Sequence, residues 1–392
     1  MRSVAVQGST GSIGTSTLDV IGSHPDRFRV HSLVAGENVE LLAEQVRTFS
    51  PAIVSVKGRE EGVVLKELLP GEPTRIVWGA KGIMEATLAK EVDTVVAGAS
   101  GVYCLRSVVE AVKEGKRLAI ANKELLVAAG DTIMREAERA SAIVIPVDSE
   151  HSAIFQVLSG QRKEQVRRVI LTASGGPFYF NEKRDLSEVT KEEALRHPVW
   201  DMGKKISIDS ATMMNKGFEI IEAMHLFQLE PDRIDVVIHP QSIVHSMVEF
   251  IDGSIIAQMG VPDMKVPIAF ALAYPERLSP ASSLDLGGLA GELTFHPPDY
   301  ERFPALLLAR KVARNGGLLP SVLISANELA VESFMKGRLR FTQIHEVTSR
   351  AVELFEDEEG PGVGDRIGLI LETIRKARYL TDTIIGEIGK GA

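Results

Sequence analysis

The sequence predicts an α/β protein whose N-terminal part is a doubly wound, parallel sheet. Two observations carry this prediction. Short apolar runs alternate with helix-like segments over residues 1–150, and a glycine-rich turn stands directly after the first run. Such alternation is typical of a parallel sheet covered by helices. Because 392 residues exceed what one core usually holds, two or three domains are expected.

The strand-like runs of the N-terminal part are short and apolar. They are Ser3–Gln7, Phe28–Ala35, Ala52–Val56, Thr94–Ala97, Leu118–Ala121 and Ala142–Val147. Helical spacing separates them, as in Ile13–Gly22, Val39–Phe49 and Val102–Lys113. We therefore place a first domain, for dinucleotide binding, at residues 1–148.

Residues 149–274 have a mixed pattern that predicts an α+β domain. A helix is expected from Ser210 to Phe227, with Asp209 or Ser210 as its N-cap. Further on, Ile243–Phe250 and Ser254–Met259 are β-like runs joined by an Asp-Gly pair, which predicts a hairpin.

The C-terminal part is predicted to be helical. Residues 275–300 are rich in Pro, Gly and Ser, which is typical of a linker. Helical periodicity follows in Phe303–Arg314, Val322–Met335, Thr342–Phe355 and Asp365–Ile388. Four helices in sequence indicate a helical bundle at residues 301–392.

Composition excludes several classes of protein. The net charge is −9 and no long run of Lys or Arg occurs, which argues against nucleic-acid binding. Cys104 is the only cysteine, so an intrachain disulfide is excluded. No apolar run reaches the roughly 20 residues that a membrane span needs, and the N-terminus lacks a signal-peptide pattern. A cytoplasmic protein is expected.

The glycine turn runs from Gly8 to Gly14, with the sequence GSTGSIG. It lies between the first strand and the first helix, where glycines let a pyrophosphate approach the backbone and the helix N-terminus attracts it. The spacing differs from the usual G-x-G-x-x-G, and an ordinary turn that binds nothing is the alternative. The context nevertheless favours a Rossmann-like dinucleotide site.

The choice between NAD and NADP is open from these residues alone. Glu37, just after the second strand, favours a ribose hydroxyl over a 2′-phosphate, which leans slightly to NAD. Asn38 suits either cofactor. Lys57 and Arg59 follow the third strand and offer the positive charge that NADP needs.

Two carboxylates follow the last N-terminal strand. If the backbone is extended, Asp148 and Glu150 point the same way, at the carboxyl end of a strand. A divalent cation with oxygen ligands, Mg²⁺ or Mn²⁺, would relieve their repulsion. The alternative is a helix start, with Asp148 or Ser149 as the N-cap.

The helix predicted from Ser210 favours the metal interpretation. Asn215, Glu219 and Glu222 share one face of it, and Glu219 is a candidate third ligand. Glu222 is either a group behind the ligands or a surface charge. The small polar residues at Ser207–Gly217 suit an anion or a sugar.

Taken together, several segments resemble the 1-deoxy-D-xylulose 5-phosphate reductoisomerase family. They are GSTGSIG from Gly8, ANKE from Ala121, PVDSEH from Pro146, SGGPF from Ser174, HPVWDMGKKI from His197, DSATMMNKG from Asp209, HPQSIVHS from His239, PDM from Pro262 and SANE from Ser325. The resemblance runs in order from the N-terminus into the helical tail. One departure is Leu125, where a serine is expected after ANKE.

The resemblance implies an NADPH-dependent homodimer that rearranges and reduces 1-deoxy-D-xylulose 5-phosphate to 2-C-methyl-D-erythritol 4-phosphate in non-mevalonate isoprenoid synthesis. It implies that Asp148, Glu150 and Glu219 bind Mg²⁺ or Mn²⁺, with Co²⁺ as a further option. The catalytic residues that it implies are these three carboxylates and Lys123. The substrate-binding residues that it implies are Ser149, Glu150, Ser174, His197, Ser210, Asn215, Lys216 and Glu219. The cofactor-binding residues are Thr10, Gly11, Ser12, Ile13, Gly36, Asn38, Asn122, Lys123, Glu124 and Gly203.

The family's mobile flap corresponds to residues 196–205, which include Trp200 and Met202, while His245 and Met264 line the same region.

Two other functions compete with this interpretation. A metal-independent reductase related to semialdehyde dehydrogenases would need a catalytic cysteine or another dedicated acid, and Cys104 has no paired histidine nearby. A dinucleotide-sensing regulator would not need the three carboxylates at all.

Overall fold

The computed structural model describes residues 1–200, 202–279, 283–287, 291–356 and 365–389. The chain divides into two compact units. One comprises Met1–Leu125, Asp131–Ser152 and Asp263–Ser282, and the other Leu126–Gly130, Ala153–Pro262 and Ser283–Ala392. The boundaries expected from sequence, at residues 148, 274 and 300, remain predictions.

Within the described residues the α-helices are spread over both units. They are α1 (Ser12–Ser23), α2 (Val39–Phe49), α3 (Arg59–Leu68), α4 (Gly79–Leu88), α5 (Leu105–Lys113), α6 (Lys123–Ala140), α7 (Ser149–Leu158), α8 (Lys191–Ala194), α9 (Lys204–Ala211), α10 (Met214–Phe227), α11 (Lys265–Ala273), α12 (Ala305–Asn315), α13 (Leu319–Met335), α14 (Phe341–Glu353) and α15 (Arg366–Gly389). In the described part of the chain, no helix is both long and apolar enough to cross a membrane.

The first unit is built on a parallel sheet. Its strands are β1 (Arg2–Gln7), β2 (Phe28–Val34), β3 (Ile53–Val56), β4 (Arg75–Trp78), β5 (Thr94–Ala97), β6 (Arg117–Ile120) and β7 (Val144–Pro146). Their spatial order is β4-β3-β2-β1-β5-β6-β7, and every neighbouring pair is parallel. The predicted doubly wound α/β fold is confirmed.

The strand order reverses between β1 and β5, which defines the switch point of the sheet. Open α/β sheets bind ligands outside the carboxyl ends of the strands at such a point. The glycine turn follows β1 there. The edge strand β4 is not expected from the sequence, because its four residues are only partly buried and lack a long apolar run.

The second unit contains a mixed sheet of four strands. These are β8 (Val166–Ala173), β9 (Ile234–Ile238), β10 (Val244–Phe250) and β11 (Ile255–Met259), in the order β11-β10-β8-β9. β8 and β9 are parallel, and the other pairs are antiparallel. The predicted hairpin is confirmed as β10–β11. Within the predicted linker, His296 forms a bridge with Ile238 of β9.

The helices of the C-terminal part share one hydrophobic core with this sheet. The buried cluster contains Val169 of β8, Ile220 of α10, Ala326 of α13 and Ile344 of α14. The four predicted helices are present as α12 to α15. The C-terminal helices therefore also help to fix the positions of the α10 side chains.

The helix expected from Ser210 to Phe227 is wrong as a single element. It is two helices, α9 and α10, separated by Met213 with a left-handed φ of 63°. The expected caps are also wrong, since Gly203 stands at the N-cap of α9 and Met213 at that of α10. Ser210 therefore lies in the last turn of α9, while Asn215 lies in the first turn of α10.

Candidate active site

The glycine turn is closely packed and contains a left-handed residue, a conformation that glycine adopts without strain. Gly8 has φ 76°, and a Cβ on Gly14 would lie 2.2 Å from the Gly8 carbonyl oxygen. Thr10 and Gly11 lie in the turn, while Ser12 and Ile13 begin α1. The N-cap of α1 is Gly11, which has no side chain to cap the helix, so the first N–H groups of α1 suit an anion.

Glu37 forms an ion pair with Lys57 just beyond the end of β2. The Lys57 Nζ is 2.5 Å from the Glu37 Oε1. The hydrogen bond lowers the pKa of Glu37 and raises the pKa of Lys57, so both are ionised at pH 7. Gly36 and Asn38 flank Glu37, and the Asn38 side chain caps α2. The carboxylate that favoured NAD is thus neutralised by a nearby cation.

The start of α6 carries three of the predicted cofactor residues. Asn122 is its N-cap, accepting from the Leu125 N–H at 3.0 Å and donating to the Gly101 carbonyl at 2.7 Å. Lys123 is 7% exposed, and its Nζ lies 3.1 Å from Asp148 Oδ2. Glu124 stands in the first helical turn. Lys123 is thereby held against the carboxylate cluster.

The carboxylates at the end of β7 lie at a helix start. Residues Ser149–Leu158 form α7, so the extended backbone expected at Asp148 and Glu150 is wrong. Asp148 precedes the helix and accepts weakly from the Glu150 N–H at 3.3 Å. Ser149 donates to Glu150 Oε2 at 2.5 Å. The helix-start alternative is therefore confirmed for the backbone, and the second oxygen of Asp148, Oδ2, pairs with Lys123.

His151 is a residue of this cluster that the sequence analysis did not single out. It is fully buried, and its Nδ1 lies 3.3 Å from Asp148 Oδ1. The signal was present in the sequence, because positions three apart on a helix face the same way. His151 therefore helps to orient the Asp148 carboxylate.

In the second unit, Ser174 and His197 form a hydrogen-bonded pair. Their Oγ and Nε2 atoms are 2.9 Å apart. Because His197 Nδ1 accepts from the Val199 and Trp200 N–H groups, a neutral ring carries its proton on Nε2 and donates it to Ser174. Ser174 also accepts from the Gly176 N–H at 3.2 Å, so its own hydroxyl proton can be donated to an anion.

The loop after Ser174 packs against the end of α9. A Cβ on Gly176 would lie 2.8 Å from the Ser210 carbonyl oxygen, and Gly176 has φ 62°. This close approach requires glycine. It brings the Ser174 turn beside Ser210, two positions predicted to bind the same substrate.

The first turns of α10 hold a buried polar cluster. The Asn215 Nδ2 donates to Glu219 Oε1 at 2.6 Å, and the Lys216 Nζ forms a very close ion pair with Glu219 Oε2. Lys216 is 3% exposed and Glu219 is 1% exposed. Both Glu219 oxygens are thus engaged, and its orientation is fixed. Glu222, one turn further, is fully buried, so its surface alternative is wrong.

Asp209 joins α9 to the C-terminal helices, which the sequence analysis did not predict. It accepts from the Lys205 Nζ at 2.8 Å and from the Asn327 Nδ2 of α13 at 2.7 Å. Asp209 is 2% exposed. Asn327 belongs to the SANE segment, and in the sequence only the resemblance of that segment to the family indicates that this residue matters.

The remaining predicted positions are those of the predicted flap segment, together with His245 and Met264. Trp200 is half-buried, Met202 precedes α9, and Gly203 is the N-cap of α9. Asp201 of the predicted flap is outside the described residues. His245 is buried on β10, and Met264 precedes α11.

Three family models match successive parts of the chain. The model of 1-deoxy-D-xylulose 5-phosphate reductoisomerase matches residues 4–130, that of its C-terminal domain matches 144–227, and a further model of the DXP reductoisomerase C-terminal domain matches 259–380. The chain is 49% identical to the reductoisomerase of Pelotomaculum thermopropionicum over 99% of its own length and 100% of that protein.

The chain belongs to the 1-deoxy-D-xylulose 5-phosphate reductoisomerase family. It is also 49% identical to the family member of Geotalea uraniireducens, over 91% of this chain and 92% of that one. A solved family structure in complex with NADPH, fosmidomycin and magnesium has a TM-score of 0.93 and 39% identity, covering 99% of each chain. The Zymomonas mobilis enzyme in complex with NADPH has a TM-score of 0.90 and 40% identity, covering 98% of this chain and 99% of that one.

Family membership and Cys104 together oppose the two competing interpretations. Cys104 is 2% exposed, and burial raises the pKa of its thiol to about 12. A thiol that stays protonated at neutral pH is a poor nucleophile. The family is one of oxidoreductases, which also argues against a regulator that performs no chemistry.

Proposed function

We propose that the protein converts 1-deoxy-D-xylulose 5-phosphate to 2-C-methyl-D-erythritol 4-phosphate by a metal-assisted rearrangement and an NADPH-dependent reduction. The observation that carries this proposal is the full-length family match, which extends to a relative solved with NADPH and magnesium. A phosphorylated sugar needs an anion site, a charge-stabilising site and a hydride donor. The described residues offer a group for each.

We propose Asp148, Glu150 and Glu219 as the ligands of Mg²⁺ or Mn²⁺. Their carboxylate oxygens are the donors that such hard cations prefer. The first unit supplies a pair held by Lys123, Ser149 and His151, and the second supplies a buried glutamate held by Asn215 and Lys216. When bound, the metal would stabilise negative charge developing on adjacent substrate oxygens while carbon–carbon bonds are exchanged.

The substrate phosphate is assigned to residues of the second unit. Ser174 has a hydroxyl proton to donate, and the Gly176 turn holds it beside Ser210. Lys216 supplies a buried positive charge, and Asn215 an amide beside it. His197 orients the Ser174 hydroxyl through its Nε2. Ser149 is proposed to contact the sugar, and so is Glu150, which is also a proposed metal ligand.

The dinucleotide is assigned to the glycine turn and the starts of α2 and α6. Thr10, Gly11, Ser12 and Ile13 are proposed to hold the pyrophosphate at the uncapped start of α1. Gly36 and Asn38 would contact the ribose, while Asn122, Lys123 and Glu124 lie where the nicotinamide is expected. Gly203 of the flap segment completes the proposed set. NADPH would deliver its hydride to the rearranged carbonyl carbon.

Lys57 tests the proposed preference for NADPH. Changing Lys57 to Met leaves the Glu37 carboxylate without its ion-pair partner, and this carboxylate then repels a 2′-phosphate. We expect the Kd for NADPH to rise about fivefold, because the repulsion between two exposed negative charges is then no longer offset by a cation. The Kd for NADH should stay the same. Fluorescence titration measures both, with Lys66→Met on exposed α3 as the matched control. An equal loss of affinity for NADPH and NADH would contradict this assignment.

Oligomeric state and location remain predictions. The resemblance implies a homodimer, which analytical ultracentrifugation would test directly. The composition implies a cytoplasmic protein, which cell fractionation would test. Neither is needed for the chemistry proposed above.

The proposed reaction is tested by product structure as well as by cofactor consumption. Incubation with substrate, NADPH and Mg²⁺ should consume one NADPH per substrate molecule. Simple reduction of the ketone and rearrangement with reduction give products of equal mass. Carbon-13 NMR of labelled product distinguishes them, because only rearrangement creates a branched carbon skeleton. A linear pentitol phosphate as the product would overturn the proposal.

A further inference from the structure

The second unit contains a cavity outside the proposed active-site residues. It has a volume of about 230 Å³. Its walls come from the start of α12, the middle of α13, the first half of α14 and the junction of α9 with α10. The apolar lining includes Met214, Phe303 and Ile344. For comparison, an apolar cavity of about 150 Å³ is large enough to bind benzene.

Three side chains that line this cavity each carry a buried polar atom with no hydrogen-bond partner among the described residues, namely the Asn327 Oδ1, the Arg302 Nε and the His345 Nδ1. Of the three residues, Asn327 is the most completely buried. Its Nδ2 is committed to the Asp209 carboxylate at 2.7 Å, which fixes the orientation of the amide because a carboxylate only accepts. The Asn327 Oδ1 is buried and has no hydrogen-bond partner among the residues that the structure describes. A buried acceptor left in this way favours a donor from a bound molecule.

The electrostatic surroundings favour a neutral molecule. Asp209 lies directly behind Asn327, which disfavours an anion at that end. Glu301 and Arg302 both line the cavity, and their opposite charges favour neither a cation nor an anion. Burial lowers the pKa of His345, another lining residue, so its ring is uncharged at pH 7. The apolar walls accommodate the body of the molecule.

The cavity also borders the helices that carry the proposed substrate residues. Thr212 and Met214 line it on either side of Met213, whose left-handed backbone joins α9 to α10. Ser210 lies two positions before Thr212, and Asn215 directly follows Met214. A molecule bound in the cavity would therefore change the position of the end of α9 relative to the start of α10.

We infer that this cavity is a binding site for a small neutral molecule with an apolar body and one hydroxyl or N–H donor, and that its occupancy changes substrate affinity. The donor bonds to the Asn327 Oδ1, and the body packs against Met214, Phe303 and Ile344. The expected change in substrate affinity rests on the proposed function, whereas binding of the molecule in the cavity does not depend on it.

The test uses two probes of nearly equal shape. In fluorine NMR with the full chain, the resonance of 4-fluorobenzyl alcohol should broaden on binding. 4-Fluoroethylbenzene lacks the hydroxyl, and we expect it to bind at least tenfold more weakly. Thr342→Trp, at an exposed lining position, should block the cavity and remove the broadening. Glu346→Trp, exposed on the same helix but not a lining residue, is the matched control and should retain it.

A second measurement tests the coupling to the active site. Saturating 4-fluorobenzyl alcohol should change the KM for 1-deoxy-D-xylulose 5-phosphate at least twofold in the parent protein and not in Thr342→Trp. Equal binding of both probes, or binding unchanged in Thr342→Trp, overturns the site. Binding without a KM change overturns the coupling. Absence of turnover on this substrate, with probe binding intact, overturns only the proposed function.

Discussion

Changing Glu219 to Gln is expected to reduce kcat by about 10³-fold or more while leaving the Kd for NADPH within about twofold of the parent. Glu219 is proposed to bind the metal directly. Its replacement should therefore lower kcat by more than the roughly 10–100-fold that changes to residues behind metal ligands cause. Glutamine keeps the size of the side chain but brings an NH₂ group against the donors of Asn215 and Lys216. The glycine turn belongs to the other compact unit and should be unaffected.

The measurement pairs steady-state kinetics with NADPH fluorescence titration and a metal titration. Glu230→Gln, an exposed change just beyond α10, is the control for loss of one negative charge. Parallel loss of turnover, NADPH binding and thermal stability would assign Glu219 a structural role. A kcat within tenfold of the parent would remove it from the proposed ligands.

Changing Gly14 to Ala is expected to disrupt the dinucleotide turn. The added Cβ would lie 2.2 Å from the Gly8 carbonyl oxygen and 2.4 Å from the Ser9 Cα, both backbone atoms that cannot rotate away. Overpacking of this kind costs about 1–3 kcal/mol. In a domain of this size that corresponds to a fall of roughly 2–12 °C in Tm. NADPH binding should weaken at least tenfold, because the start of α1 moves.

Gly11 provides a matched control in the same turn. A Cβ there would be 3.4 Å from the Gly8 oxygen, a contact that a small shift relieves. Gly11→Ala should therefore cost less than about 1 kcal/mol, the order of an N-cap change. Thermal unfolding of both variants checks the difference. A Tm for Gly14→Ala equal to that of Gly11→Ala would contradict the close packing of the turn.

Local patterns in the sequence were enough to predict the parallel sheet, the glycine turn, the β10–β11 hairpin and the C-terminal helices. Each depends on periodicity or on turn residues that act over a few positions. The break at Met213 was missed because neither glycine nor proline marks it. Likewise, α11 contains Pro267 in its first turn and a continuous apolar run, so its helical period is obscured.

The candidate site was predictable where residues cluster along the chain and not where they meet across it. Asp148, Glu150 and their neighbours stand together in the sequence, although the local backbone is a helix start and not extended. Asn327 and Asp209 are 118 positions apart, and no local rule pairs them. The Glu37–Lys57 pair spans 20 positions, and no local rule predicts that this lysine neutralises the carboxylate.

The central claim is that turnover requires a divalent metal held by carboxylates. The most direct test follows NADPH absorbance with 1-deoxy-D-xylulose 5-phosphate before and after complete chelation by EDTA, with excess Mg²⁺ then added back. We expect turnover to stop on chelation and to return with Mg²⁺, while NADPH stays bound throughout. Turnover that survives complete chelation would contradict the metal site and, with it, the mechanism proposed for this protein.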